Sequence, residues 1–308
     1  MSKMLLFPGQ GAQTVGMGRE LAEGLGECRE LFDRAGEILG FDLLKLCAEG
    51  PIEELTKSCN TQPAIFVVSA AARKALAHYA GERFSGSGAA GLSSGEWAAL
   101  HEAGVVSFED AVRILKARGQ YMQEACEAMP GGMLTIIGLT LGQVEEVAKT
   151  SGLEIANLNS PVQTVLSGHA DRIAAGEAAA KAAGAKRALR LTVAGAFHSS
   201  LMRPAADRLA EFLAGIEFRA PRCPVWSNVT GKPHGAPEEI RKLMVAQVVS
   251  SVRWTDCFSD MAAAGMSGAF ECGPGTVLAG LAKRIVPEAS VAGIFDLAGA
   301  QEAAKLFD

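Results

Sequence analysis

Five residues, Gly91-Leu92-Ser93-Ser94-Gly95, constrain this chain more than any others, because G-x-S-x-G fits a sharp turn from a strand into a helix. Glycines two positions either side of Ser93 let neighbouring backbone pass close to the turn, so that its hydroxyl stands exposed. Ser94 lacks that symmetrical pair. The following Glu96-Trp97-Ala98-Ala99-Leu100 opens a helix whose free N–H groups and positive dipole end would face an anionic intermediate. The preceding Ser85-Gly86-Ser87-Gly88-Ala89-Ala90 is small and glycine-rich, a weak strand signal. An ordinary tight turn is the competing reading of the motif.

The totals bound the answer. A length of 308 residues allows one large domain or two modest ones, and 49% hydrophobic with 20% charged residues reads as globular. A net charge of −5 argues against nucleic acid as the main partner. Seven cysteines without a C-x-x-C pair read as reduced thiols and not as a disulfide framework or zinc site. The first residues, Met-Ser-Lys-Met-Leu-Leu-Phe-Pro, lack a signal-peptide apolar core, and no apolar run reaches membrane-spanning length. The expectation is a soluble, cytoplasmic protein.

Along the chain, Met4-Leu5-Leu6-Phe7 is a buried-strand signal ending at Pro8, followed by Gly9-Gln10-Gly11. This start resembles a dinucleotide fingerprint, but Thr14 stands where its third glycine belongs and no acidic strand end follows. Such a loop still sets backbone N–H groups at a strand's C-terminal end, where α/β proteins bind ligands. Residues 17–84 are mainly helical, with one helix over 65–77 after Thr61-Gln62-Pro63, and 108–128 is a long helix. Then strand 133–139, helix 141–150, strands 153–158 and 163–167, helix 170–183 and strand 187–193 give β-α-β-β-α-β, the ferredoxin-like order. The predicted fold is α/β. Residues 1–130 and 196–308 form a parallel-sheet body, and residues 131–195 an inserted ferredoxin-like subdomain. The body resumes with helix 201–213, strand 225–227, helix 238–249 and strand 268–271.

A serine hydroxyl needs a base. Of five histidines, His78 and His101 read as surface helix residues, His169 as part of a subdomain loop and His234 as part of a Pro/Gly-rich turn. His198, in Gly195-Ala196-Phe197-His198-Ser199-Ser200, falls where the insert rejoins the body, and such junctions form clefts. The group that orients it stays open: Asp256, Glu271 or a neutral carbonyl. Arg118 lies on the apolar side of the long helix, where a guanidinium needs an anion. That anion is either a local Glu or a substrate carboxylate, which guanidinium geometry suits.

Taken together, several stretches resemble the malonyl-CoA:acyl-carrier-protein transacylases of fatty acid synthesis. They are Phe7-Pro8-Gly9-Gln10-Gly11-Ala12-Gln13, Thr61-Gln62-Pro63-Ala64, Gly91-x-Ser93-x-Gly95-Glu96 and Arg118-Gly119-x-x-Met122-Gln123. Asn159-Ser160-Pro161-x-Gln163, Phe197-His198-Ser199-x-Leu201-Met202, Gln247 with Arg253-Trp254, and Gly273-Pro274-Gly275 follow in order. The resemblance implies a hydrolase-like α/β body with Ser93 as nucleophile, His198 as base and the Gln247 main-chain carbonyl orienting it. It further implies an oxyanion hole from the amides of Gln10 and Ser94, and a malonyl-carboxylate partner in Arg118. Gln62, Asn159 and Phe197 are implied as substrate-binding residues. Malonyl-CoA and an acyl carrier protein are the implied partners, with no metal or bound cofactor. Two positions depart from the family's pattern: Leu92 stands where His is frequent, and Ser94 where Leu is frequent.

A carrier protein is acidic, and so is this chain, so docking needs a local basic patch. Lys181, Lys186, Arg187, Arg190, Arg203 and Arg208, against Asp207, supply one over 181–208. The alternatives are a serine esterase or thioesterase, an acyltransferase serving a polyketide synthase, and a noncatalytic binding protein on the same fold.

Overall fold

The computed structural model describes residues 2–81, 86–193 and 195–307. Strand β1 (Ser2–Phe7) leads through a loop into helices α1 (Arg19–Gly24), α2 (Gly26–Leu39), α3 (Leu43–Glu49), α4 (Ile52–Thr56) and α5 (Ser58–Ala80). Then come β2 (Gly88–Gly91), α6 (Gly95–Glu102) and α7 (Phe108–Ala128). The next run is β3 (Gly131–Ile137), α8 (Leu141–Ser151), β4 (Glu154–Ser160), β5 (Gln163–His169), α9 (Ile173–Ala182) and β6 (Arg187–Arg190). The chain ends with α10 (Arg203–Leu213), β7 (Val225–Trp226), α11 (Pro237–Ala246), α12 (Trp254–Ala263), β8 (Met266–Cys272), α13 (Val277–Ile285), β9 (Val291–Ile294) and α14 (Leu297–Ala304).

β1 sits at the centre of a parallel sheet ordered β7-β2-β1-β8-β9. Its unbroken apolar run is what a strand covered on both faces requires. Because side chains alternate along a strand, Leu5 and Phe7 enter the core made with α5 and α7, while Met4 and Leu6 join Trp226, Trp254 and Phe258 on the other face. β2 is a strand despite its small residues. Its alanines are fully buried on opposite faces of the sheet, Ala89 in the core with α5 and α7 and Ala90 in the one with Trp226 and Trp254. Ser85, in the stretch leading to it, lies outside the described residues, as do residues 82–84 of the expected helical region.

The second sheet is antiparallel and ordered β4-β5-β3-β6, the ferredoxin-like arrangement, with α8 and α9 burying Leu134, Ile136, Val144, Val147, Leu166 and Ile173 in a core of its own. Its last strand pairs over four residues, Arg187 to Arg190, and not through 193.

α5 begins at Ser58, well before the expected 65, with Pro63 inside it. A proline there forfeits the bond its missing N–H would make to the Cys59 carbonyl and crowds that oxygen, a cost of about 3 kcal/mol that the packing of α5 on α7 offsets. Thr61 and Gln62 are thereby helical, and Gln62 faces Arg118 and Met122 of α7. Apolar spacing also passed over α12 and β9, which pack on β8, and α13 and α14, which pack on β9, α14 also against α5.

Candidate active site

The Ser93 turn forms as the motif requires. A Cβ on Gly91 would lie 2.0 Å from the Gly95 carbonyl carbon, and one on Gly95 would lie 2.2 Å from the Phe7 oxygen, so both positions exclude side chains. Between them Ser93 takes φ 54°, and His198 takes φ 57° in its own loop. Among the described residues these are the only non-glycine positions with positive φ, a conformation that costs an ordinary residue about 1 kcal/mol or more.

The two strained residues meet. Ser93 Oγ lies 2.7 Å from His198 Nε2, and His198 Nδ1 lies 2.9 Å from the main-chain oxygen of Gln247. A carbonyl can only accept, so Nδ1 carries the hydrogen and Nε2 is left bare to accept from the Ser93 hydroxyl. His198 is buried, and burial first, then the neighbouring Arg118 charge, pulls its pKa down to about 4. The imidazole is therefore neutral, as a proton acceptor must be. Neither acid considered from sequence orients it. Asp256 accepts from Arg253 at 2.7 Å, and Glu271 caps α13 by accepting from the amides of Leu278 and Ala279.

Arg118 is brought to Ser93 by close helix packing. A Cβ on Gly119 would fall 2.2 Å from the Ser58 oxygen, so glycine lets α7 press against the start of α5. The Arg118 guanidinium is 1% exposed, yet no carboxylate bonds it among the described residues. Its Nη1 donates to Gln62 Oε1 at 2.7 Å, and its Nη2 donates to Gln247 Oε1 at 3.0 Å and to Ser93 Oγ at 3.4 Å. Its Nε is buried without a partner. Burial lowers its pKa to about 10, which leaves it cationic at neutral pH. A buried cation held by neutral amide oxygens can receive an anion.

Gln10, Gln62, Ser93, Arg118, Asn159, Phe197 and His198 line one cleft of about 540 Å³ between the two sheets' layers. Ser94 and Gln247 stand behind its wall. Asn159 presents a buried Oδ1 with no partner. The Gln10 amide donates to Ser94 Oγ at 3.3 Å, so the Ser94 hydroxyl engages the amide expected to serve the oxyanion, which sequence reasoning did not anticipate. Leu92 lines the cleft and leans on the core beneath β1. No group of three or more His, Cys, Asp or Glu is placed to hold a metal ion among the described residues.

The other histidines are elsewhere. His78 pairs with Glu27 at 3.0 Å on the surface, and His169 ends β5 in solvent. His101 is not a surface residue: it packs edge-on against Phe66 and Phe108. His234 is buried beside Glu96, its Nε2 2.7 Å from Oε1.

Residues 4–299 match the family described as the acyl transferase domain. The malonyl CoA-acyl carrier protein transacylase of Escherichia coli O157:H7 is 45% identical over 285 residues, spanning 91% of this chain and 92% of that protein. The chain belongs to the malonyl-CoA–acyl carrier protein transacylase family. It is an acyltransferase, and its two-sheet fold is the family's. The solved malonyl CoA-acyl carrier protein transacylase from Coxiella burnetii superposes with a TM-score of 0.95 at 37% identity, over 99% of this chain and 97% of that one. A second solved structure, a type II polyketide acyl-carrier protein in complex with its malonyl-transacylase, gives 0.95 at 40% identity, over 99% of this chain and 100% of that one. No helix among the described residues of this transacylase is long and apolar enough to cross a membrane.

Sequence reasoning missed one layer of this transacylase site. Asn228 accepts from the Ser93 amide through Oδ1 at 2.6 Å and donates through Nδ2 to the Gly91 oxygen at 2.8 Å, tying the turn from below. Glu96, 0% exposed, accepts from the Asn228 amide at 3.1 Å and from Gln247 Nε2 at 2.6 Å. The only sequence signal was an acid inside the apolar opening of a helix.

Proposed function

We propose that this chain moves a malonyl group from malonyl-CoA to the phosphopantetheine thiol of an acyl carrier protein through an ester on Ser93. The observation that carries the reading is the line Ser93–His198–Gln247 with a buried, carboxylate-free Arg118 reaching the same hydroxyl. His198 Nε2 takes the Ser93 proton as Oγ attacks the thioester carbon. The oxyanion is held by the amide of Ser94, at the N-terminus of α6, and by that of Gln10, which leaves Ser94 Oγ to donate to it. The C–S bond breaks, the CoA sulfur leaves with the proton from His198, and malonyl-serine remains. The carrier thiol then gives its proton to His198, attacks the ester carbon and releases Ser93, which recovers that proton. Arg118 binds the malonyl carboxylate as a forked pair and so holds the acyl group in register for attack. Gln62 fixes the guanidinium, while Asn159 and Phe197 line the acyl and pantetheine path.

A general esterase or thioesterase would use the same serine and histidine, but it has no need of a desolvated cation beside the nucleophile. The identity of the carrier is a second matter. One similar solved structure holds a polyketide carrier, which favours testing carriers of that class beside those of fatty acid synthesis. The carrier docks on the edge of β6. Of the basic residues there, Lys181 and Arg190 are engaged by Glu177 and Arg208 by Glu124, which leaves Lys186, Arg187 and Arg203 without an ion pair among the described residues. Exposed Leu189, Leu191 and Val193 run beside them toward the cleft, an apolar strip with a basic margin that suits an acidic helix. Intact-mass measurement after treatment with malonyl-CoA tests the central step. One malonyl adduct is expected on the parent chain and none on Ser93→Ala; an adduct on both would falsify the assignment.

A further inference from the structure

Gln247 has two jobs, and only one belongs to its main chain. Its side-chain amide lies between two buried ions of opposite sign. Oε1 accepts from Arg118 Nη2 at 3.0 Å, and Nε2 donates to Glu96 Oε2 at 2.6 Å and to the Ser93 oxygen at 3.0 Å. Arg118, Glu96 and Gln247 are each no more than 1% exposed, so water cannot stand in for any of these bonds. An amide is ambidextrous, and its direction is set by its neighbours. Turned around, it would set NH2 against a guanidinium and oxygen against a carboxylate, two repulsive contacts in a dry interior.

We propose that Glu96 is a positioning residue that acts on acyl selectivity through Gln247. By accepting from Nε2, Glu96 points Oε1 at Arg118 and holds the guanidinium beside Ser93 without itself pairing with it. Arg118 is charge-compensated through one intervening amide, close enough to remain buried and cationic, yet with N–H groups free for a substrate carboxylate. A carboxylate bonded directly to Arg118 would fill the place the substrate needs. His234 and the Asn228 amide occupy the other lone pairs of Glu96 at 2.7 Å and 3.1 Å, so the acid cannot swing toward Arg118. The same acid thus braces the turn, through Asn228, and the cation, through Gln247.

This inference rests on Arg118 being the malonyl-carboxylate partner, and the experiment separates the two claims. Single-turnover CoA release is followed with malonyl-CoA and with acetyl-CoA, and the ratio of the two rates is compared across variants whose melting temperatures are recorded. Arg118→Ala should lower the malonyl-to-acetyl ratio about tenfold or more, since one charge-assisted pair is lost. Glu96→Gln, which keeps shape and removes the obligate acceptor, should lower that ratio about tenfold as well. In the Arg118→Ala background Glu96→Gln should leave the ratio where it was. Gln247→Leu retains the main-chain carbonyl that orients His198 and should reproduce the lowered ratio even if Glu96→Gln folds poorly. Equal losses for both substrates in Glu96→Gln and Gln247→Leu would reduce Glu96 to a structural part and overturn the proposal. An unchanged ratio in Arg118→Ala would overturn the Arg118 assignment and this inference with it.

Discussion

His198 directs its Nδ1–H to the main-chain oxygen of Gln247 at 2.9 Å, so a neutral group and not a carboxylate orients the imidazole. Buried, with Arg118 beside it and no anion to stabilise the imidazolium, the ring resists protonation down to about pH 4. The active form is the neutral one. The rate of acylation by malonyl-CoA should therefore stay level as pH is lowered from 8 to 5 and fall only as it approaches 4. A single-turnover pH profile checks this; an inflection near the ordinary histidine value of about 6.5 would contradict it.

The same depressed pKa links to stability. Above about pH 6.5 His198 is neutral in both folded and unfolded chains, and its contribution is fully present. As pH falls from there toward 4 only the unfolded chain takes the proton, so stability is lost, by roughly 3 kcal/mol over the full shift. Urea midpoints at pH 7 and 4.5 should lie further apart for the parent chain than for His198→Gln.

Asn228 holds the Ser93 amide and the Gly91 oxygen together. Asn228→Ala leaves both without partners beneath a strained turn, which should cost about 1–3 kcal/mol of stability. It should also slow acylation more than tenfold, since the hydroxyl loses its fixed aim. Denaturant melts and CoA-release rates measure the two effects.

Gly119→Ala forces a methyl onto the Ser58 oxygen. Helix α7 must retreat from α5, at a cost of about 1–3 kcal/mol, and Arg118 retreats with it. The KM for malonyl-CoA should rise with the melting temperature falling in parallel, both measurable on one preparation.

Lys186→Glu with Arg187→Glu places acids on the strip flanking Leu189 and Leu191. Transfer to carrier protein should fall about tenfold relative to serine acylation, and the salt dependence of transfer should weaken. Equal losses in both half-reactions would place docking elsewhere.

Much of the architecture was legible because it is periodic or punctuated. The insert reads as alternating strands and helices, and the Ser93 turn carries its glycines with it. The start of α5 was hidden because a proline such as Pro63 reads as a helix boundary, and only packing against α7 carries the helix through it. β2 was hidden because a strand with both faces pressed by neighbours can be built from alanine and glycine, which carry no strand signal. At the site, Ser93, His198 and Arg118 stood out through their local settings. Glu96, Asn228 and His234 did not, since more than 130 residues separate the acid from its partners. Their chemistry exists only once β2, α6 and the segment after β7 are side by side. For the same reason Asp256 and Glu271, plausible by residue type, turn out to serve Arg253 and the start of α13.

On the proposed mechanism, the left-handed backbone at Ser93 puts activity and durability in opposition at one position. Glycine there would relieve roughly 1–2 kcal/mol, against about 0.4–1 kcal/mol for its looser unfolded chain, whereas at His198 the cavity left by a buried imidazole would outweigh the relief. A library selected for heat resistance alone would drift toward glycine at Ser93, and its hardiest members would have no nucleophile.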